Sequence, residues 1–425
     1  MKPTHVDFRQ AWAFFWKIYN TGSSMKQLRS KLMIAMISAV IAPIVTAADS
    51  VNSVSEMLKE GDVSLLFRYR NEYVDQDDIS ETANASTLRS RITYKSAVYA
   101  GFTVLAEVDN VTVIGNEQYR TPTNGNAQYP IVADPHGTDF NQASLTYKGK
   151  DFSAVMGRQR IIDSSQRFMG GVGWRQNEQT YDALRLSVAH VGPVSLDYGY
   201  VWNINRIFGP ADSAVQPAHW DSNSHRFIAT LTPAKGQEVQ AFAYLLDIEN
   251  AAANSSSTYG VEYAGSVGIV SLAAAIARQT DYAANPVDYK ASYYMLEAGV
   301  PIDPVKISVG YEVLGSDRGV AAFRTPLATL FKFQGWADKF LNTPNVGLED
   351  LYLKVTCKVG GADLAVIYHD FNANEGGSDL GSEVDFSVNY PFTEGMYLEL
   401  RYAAYEADTF AADTNKFWLT LNAKF

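Results

Sequence analysis

Residues 416–425, KFWLTLNAKF, decide the fold. Phe417, Leu419, Leu421, Ala423 and Phe425 take every second position, and Lys416, Thr420, Asn422 and Lys424 take those between, with Trp418 as the exception. Side chains alternate across a β-strand, so this spacing builds a ribbon with one apolar and one polar face. A wall that separates lipid from water needs that arrangement.

The same alternation recurs upstream. Val305, Ile307, Val309, Tyr311 and Val313 interleave with Lys306, Ser308, Gly310 and Glu312. Val194, Leu196, Tyr198, Tyr200 and Trp202 interleave with Ser195, Asp197, Gly199, Val201 and Asn203. About eighteen such runs can be counted, an even number as bacterial outer-membrane barrels require. Their centres fall near Phe67, Ser90, Val104, Ser144, Val155, Leu186, Tyr198, Ile228 and Phe242, then Val261, Ala274, Met295, Val309, Lys354, Val366, Phe386, Leu398 and Thr420.

The connections sort by parity. Odd ones are long: Val74–Ala85, Asn110–Gly137, Ile162–Asn177, Ile204–Trp220 and Gly315–Leu348. Even ones are tight turns, such as Lys148–Lys150, Val191–Pro193, Pro233–Gly236 and Gly360–Gly361. Outer-membrane barrels have short periplasmic turns and longer extracellular loops, whereas a soluble sandwich has no reason to sort loop length this way. The expected fold is therefore an all-β, transmembrane antiparallel barrel of about 18 strands over residues 49–425. Loops 110–137 and 315–348 are candidates to plug or cap it. Within the second, Leu327–Leu341 has the apolar spacing of one or two helical turns, and either an inward or an outward position fits.

Bulk properties agree. The chain has 425 residues, 25 Tyr and 21 Phe, and a mean hydropathy of -0.14. No apolar run is long enough for a membrane-spanning helix, which needs about 20 residues. The formal charge is -11. Residues 1–48 hold six Lys and Arg against Asp7, leaving about -16 for the rest, which argues against a nucleic-acid partner. Cys357 is the single cysteine and reads as a small apolar strand residue.

Export is written near the start. Met25 opens a segment with Lys26, Arg29 and Lys31, followed by an apolar stretch from Leu32 to Val45 and then Ala47 and Ala48. A cationic start, an apolar core and small residues before the cut make a secretory signal peptide, here residues 25–48. Cleavage after Ala47 and after Ala48 fit equally. Residues 1–24 then read as an extension from an upstream mis-start.

If the apolar faces meet lipid, the other faces line the interior. That places Arg68, Arg70 and Glu72 inward on the first strand, Arg89, Arg91 and Lys95 on the second, and Glu107 and Asp109 on the third. Arg185 on the sixth strand and Glu399 and Arg401 on the seventeenth also point inward. Arg158 and Arg160 share one face of the fifth strand, and the weak alternation there leaves its side open. Strands one, two, seventeen and eighteen meet only when the barrel closes, so these arginines should gather on one wall. Barrels this wide are expected to hold water, and arginine and lysine in such a lumen favour anions. Two roles fit the same residues: selectivity, or a network of ion pairs bracing the wall.

Catalytic patterns are missing. His136, His190, His219, His225 and His369 are scattered, with no HExxH, GxSxG or Walker-type loop, and no metal or cofactor is expected. Partners would be outer-membrane lipid and lipopolysaccharide, the barrel assembly machinery, and anionic small solutes or oligosaccharides; monomer and trimer both fit.

Five stretches resemble the alginate-export type of outer-membrane porin: Phe67–Glu72 (FRYRNE), Ala85–Arg91 (ASTLRSR), Gly157–Ile161 (GRQRI) leading to Arg167–Gly170, Gly173–Gln176, and Thr325–Phe340 (TPLATLFKFQGWADKF). The resemblance implies an eighteen-stranded barrel with an arginine-rich path, matched by acids, for an anionic polysaccharide. The matching positions are Arg68, Arg70, Arg89, Arg91, Arg158 and Arg160. Phe425 resembles the terminal aromatic assembly signal of outer-membrane barrels. The expected function is a passive channel for anionic solutes. An exporter of an anionic, alginate-like polysaccharide and a non-conducting adhesin or structural barrel are the alternatives. Mass spectrometry of the purified protein should give a mature chain beginning at Ala48 or Asp49, and any mass that includes residues before Met25 would contradict the upstream mis-start.

Overall fold

The computed structural model describes residues 51–425 apart from residue 215, so the expected extension (1–24) and signal peptide (25–48) lie outside the described residues. A short helix, α1 (Val54–Lys59), precedes eighteen strands. The first six are β1 (Asp62–Gln76), β2 (Ala83–Lys95), β3 (Phe102–Val113), β4 (Gly137–Lys148), β5 (Phe152–Gln159) and β6 (Thr180–Val191). The next six are β7 (Val194–Asn205), β8 (His219–Ala234), β9 (Gln237–Leu246), β10 (Ser256–Val267), β11 (Val270–Asp281) and β12 (Lys290–Ile302). The last are β13 (Val305–Leu314), β14 (Leu348–Val359), β15 (Ala362–Asn372), β16 (Asp379–Thr393), β17 (Met396–Ala407) and β18 (Thr414–Lys424). Every expected strand centre falls inside one of them.

Each strand pairs antiparallel with its sequence neighbours, and β1 pairs with β18, which closes the sheet on itself. Tyr69 lies between Leu421 on one side and Leu88 on the other. Closure leaves no strand with an unpaired edge, the condition for a sheet to stand in hydrocarbon. Among the described residues no helix is long and apolar enough to cross a membrane.

Burial is inverted relative to a water-soluble protein. Phe67, Leu145, Met156, Leu296, Val309, Leu353, Val366 and Leu421 are exposed on the outer face. Arg70, Glu72, Arg89, Glu312, Asp350, Glu383 and Thr420 are buried on the inner one. Trp418, which breaks the alternation of the last strand, is fully buried with the polar set. Its ring meets Trp174 and Phe331 edge-on, so an aromatic residue on the inner face is explained by what fills the lumen there.

The long connections carry that filling. Segments 160–179 and 315–347 run into the barrel, and an apolar cluster forms between them and the wall. Phe168, Met169, Leu327, Phe331, Trp336 and Phe340 come from the loops; Phe242, Tyr293, Phe371, Tyr405 and Trp418 come from strands. The expected helical turns over Leu327–Leu341 do not form. Turns and bends occupy that stretch, with left-handed backbone at Leu330, Gln334 and Asp338. Its peptide groups bond to the other loop instead: Gly170 N donates to Leu327 O at 2.8 Å and Thr329 N to Gln166 O at 3.0 Å. A backbone group satisfied across loops has nothing to gain from a helical partner four residues away. The inward position is the one adopted, and this part of the lumen is packed, where an open bore was expected.

Two local irregularities shape the wall beside these loops. A bulge opposite Glu107 and Val108 leaves Asn141 outside the β3–β4 pairing, so Asn141 and Gln142 both turn their amides toward Glu107. Strand β5 has only eight residues, against twelve in β4 and β6. Gly157 in β5 has a φ of +114°, and a Cβ there would stand 2.3 Å from Ala143 O. Only glycine lets β4 and β5 approach so closely.

The outer face should tolerate charge only near its edges. Leu296→Arg, halfway along β12, should cost about 2–4 kcal/mol of folding free energy in lipid vesicles, and Ile302→Arg, at the strand end, about 0–1 kcal/mol. Equal costs at the two positions would show that this face does not meet hydrocarbon.

Candidate functional site

The inward faces of β1, β2 and β3 bring the charged residues together. Arg68 lies opposite Arg89 across β1 and β2, and Arg91 lies opposite Asp109 across β2 and β3. Like charges placed in register on neighbouring strands repel unless something intervenes. Segment 173–178 intervenes.

Arg68 donates to Gln176 Oε1 at 3.0 Å, to Gly173 O at 2.9 Å and to Arg175 O. Arg70 donates to Trp174 O at 2.5 Å and to Thr420 Oγ1 at 3.3 Å, and its guanidinium lies 3.9 Å from the Trp174 ring centre. Arg89 donates to Gln176 O at 3.4 Å. Three arginines thus hold four consecutive carbonyls of one loop. Among the described residues no carboxylate lies within ion-pair distance of Arg68 or Arg70.

The acids gather one step further round the wall. Arg91 makes a two-pronged pair with Asp109, both bonds at 2.6 Å. Glu178 receives Arg91 at 2.9 Å, Arg160 at 2.5 Å and Arg89 at 3.4 Å, and Glu107 pairs with Arg160 and Arg91. Burial alone would raise the Glu178 carboxyl, but Arg91, Arg160 and Arg89 outweigh it and hold the group well below the usual carboxylate range.

Glu72 pairs with none of the other charges expected on the barrel wall. It is fully buried and meets Arg175 of the loop at 2.9 Å. Arg175 also reaches Asp338 at 2.7 Å, and Lys416 of β18 reaches the same carboxylate at 2.8 Å. That chain of charges ties segment 160–179 to segment 315–347 and to the barrel. Asp338 is likewise lowered: burial raises it, and Lys416 and Arg175 more than reverse that. The third loop joins through Asp134, whose Oδ1 accepts from Gln176 N at 2.7 Å.

Glu399 and Arg401 pair with each other, at 2.6 Å. Arg401 also lies over three rings, 4.3 Å from the centre of Trp174, 4.6 Å from Trp336 and 5.3 Å from Phe331. Trp174 and Phe331 stack at 4.0 Å with 9° between their planes. Guanidinium over indole is a favourable pairing that leaves the guanidinium edge available. A cavity of about 650 Å³ opens below this stack, with Arg68, Arg70, Arg401, Trp174, Phe331 and Trp336 on its wall and Glu297, Lys354 and Tyr352 facing them.

The remaining expected residues lie apart. Arg160 and Arg158 do not act together: β5 ends at Gln159, Arg160 joins Glu107 and Glu178, and Arg158 pairs with Asp182 at 2.9 Å and Asp139 at 3.5 Å. Arg185 pairs with Asp197 at 2.8 Å on a different stretch of wall, beside Arg226 and Asp163. Lys95 is exposed at the end of β2. Phe425 closes the short-turn end, with its N donating to Leu65 O and its ring 6.3 Å from Phe67. Trp174, Arg175, Gln176, Glu178 and Asp338 were not foreseen as lining residues. Their sequence signals are the family resemblance over Gly173–Gln176 and Thr325–Phe340, which assigned them no role, and the density of Arg, Gln and Trp in the first of these loops, which alternation cannot place. Among the described residues no group of His, Cys, Asp or Glu could hold a metal ion.

No family model and no curated protein matches the chain. Its fold is similar to that of solved structures, among them three from Pseudomonas aeruginosa and Acinetobacter baumannii. OccK3 (OpdO) of Pseudomonas aeruginosa has a TM-score of 0.68 at 11% identity, covering 88% of this chain and 97% of that one. OccAB1 of Acinetobacter baumannii gives 0.65 at 12%, covering 89% and 99%. OpdK of Pseudomonas aeruginosa, solved with vanillate, gives 0.65 at 12%, covering 87% and 99%. At such identities the likeness is one of fold, a closed barrel of the same layout.

Arg175→Ala should leave Glu72 and Asp338 buried without their shared cation. Amide exchange over residues 173–178 in detergent should then speed up at least about tenfold, since breaking a buried pair costs about 3–5 kcal/mol. In the native protein the pH sense is fixed by the two lowered carboxyls. Their contribution is complete above the ordinary carboxylate range and is lost as pH falls through their lower folded values. Protection of 173–178 should therefore hold from neutral pH to about pH 5 and fail only below about pH 4. Loss already at pH 6 would contradict the assignment.

Proposed function

We propose that the protein is an outer-membrane porin, a passive diffusion channel for anionic solutes such as carboxylates or acidic oligosaccharides. The observation that carries this reading is the pair Arg68 and Arg70. They stand on the wall of a 650 Å³ cavity with no carboxylate partner, while Glu72, Asp109, Glu178 and Glu399 are engaged by other cations. Arg68 spends Nε, Nη1 and Nη2 on the loop, and Arg70 keeps Nη2 without a hydrogen bond among the described residues. The pair therefore offers a carboxylate or phosphate in a wet lumen unneutralised positive charge and one open nitrogen. Solved structures with this fold are outer-membrane porins, and one of them was crystallised with vanillate, a carboxylate.

In this reading the long loops face outward, both chain ends face the periplasm, and the Val, Leu, Phe and Tyr faces meet lipid and lipopolysaccharide. Phe425 would be part of the signal read by the assembly machinery. No chemical step occurs; the channel works by electrostatic attraction and size exclusion. The narrower reading, an exporter of an alginate-like polysaccharide, rests on the family resemblance.

In planar bilayers under a KCl gradient, the reversal potential should show anion preference. Arg68→Gln with Arg70→Gln should reduce that preference severalfold, whereas Lys95→Gln should leave it nearly unchanged. Cation preference in the native protein would overturn the reading, and no conductance at all would favour a structural barrel.

A further inference from the structure

A second cavity, of about 210 Å³, lies at the long-loop end above the short strand β5. Segment 173–178 separates it from the larger one: Gly173 and Trp174 line the first, Asn177 and Glu178 the second. Two arginines line it: Arg158, which is paired with Asp182 and Asp139, and Arg206, just beyond the end of β7. The Arg206 guanidinium lies 4.0 Å from the Trp220 ring centre and 4.5 Å from that of Phe208. Nη1 donates to Pro217 O at 3.1 Å, and the other donors of the fork make no hydrogen bond among the described residues.

Arg206 also has no carboxylate within ion-pair distance among the described residues. Burial pushes its guanidinium down to about 10, and no opposite charge offsets that. The acids that line the same cavity are committed elsewhere: Asp109 to Arg91, Glu178 to Arg91 and Arg160, Asp139 to Arg158. A part-buried cation held between two rings with unused donors costs free energy unless an anion completes it. Two acceptors are open as well. Asn177 donates its amide to Pro135 O and Asn141 to Glu107 and Glu178, while their carboxamide oxygens receive no donor among the described residues.

We propose that this cavity is an outer binding site for a small hydroxylated carboxylate, its carboxylate on the Arg206 fork and its hydroxyls donating to Asn141 and Asn177. The site deepens the channel reading, on which it rests, by giving the anion a first stop before the Arg68–Arg70 cavity. A purely structural arginine, bracing loop 206–218 against β8, would bind nothing and show no sidedness.

The test uses the whole protein, oriented in planar bilayers, with gluconate as probe and sorbitol as the uncharged control. Gluconate added on the long-loop side should block the current, with a half-blocking concentration raised at least fivefold in Arg206→Gln. The value for gluconate added on the opposite side should stay unchanged. Arg206→Lys keeps the charge between the rings but loses the fork, and should give an intermediate shift; it also serves if the glutamine variant fails to fold. Equal shifts from both sides, no shift in either variant, or sorbitol block equal to gluconate block would overturn the outer site. Anion preference without any gluconate block from the long-loop side would reject this site and leave the channel reading standing. Cation preference would strike the channel reading itself.

Discussion

Hydrocarbon offers the peptide backbone no hydrogen-bond partner, and the pairing of β1 with β18 answers that constraint. Once the first and last strands must meet, the strand count is even, the outer face is apolar and the inner face is polar. The inverted burial follows directly: exposed Phe, Leu and Val outside, buried Arg, Glu and Asp inside. A protein built this way is stable only where its outer solvent is lipid.

Closure at eighteen strands creates a second problem, since the wall side chains alone cannot fill so wide a cylinder. Here loops fill part of it. Segments 160–179 and 315–347 bond to each other and bury Phe168, Leu327, Phe331 and Trp336 against Phe242, Tyr293 and Trp418. Loop carbonyls in such a place need donors, and the wall arginines supply them. Arg68, Arg70 and Arg89 take up the carbonyls of residues 173–176 and so brace the loop against this wall. Arg70 holds Trp174 O with Nη1 and Thr420 with Nε, and its Nη2 makes no hydrogen bond among the described residues.

Charge is divided along the same lines. Arg91, Arg160 and Arg175 are neutralised by Glu107, Asp109, Glu178, Glu72 and Asp338, which fixes the loop in place. Arg68, Arg70 and Arg206 lack such partners and stand on the walls of the two cavities. The charge imbalance is local, at Arg68, Arg70 and Arg206, and the overall net charge does not reveal it.

Alternation along residues such as Phe417–Phe425 and Val305–Val313 was enough to set strand identity, facing and number, because a two-residue period and a two-solvent environment are local rules. Loop length by parity separated a long-loop end from a tight-turn end, again from spacing alone. Placement of Arg68, Arg70, Arg89 and Arg91 on one inner wall followed from the β1–β2 pairing, and closure brought Arg401 of β17 to the same side. The sequence could not place Trp174, Arg175, Glu178 or Asp338, which have no periodicity to follow, nor separate Arg158 from Arg160, whose fates part where β5 stops short. It also suggested helix at Leu327–Leu341, where partners supplied by another loop took up the backbone bonds. Strand register is written residue by residue, while a loop's course depends on the partners that only the closed barrel brings within reach.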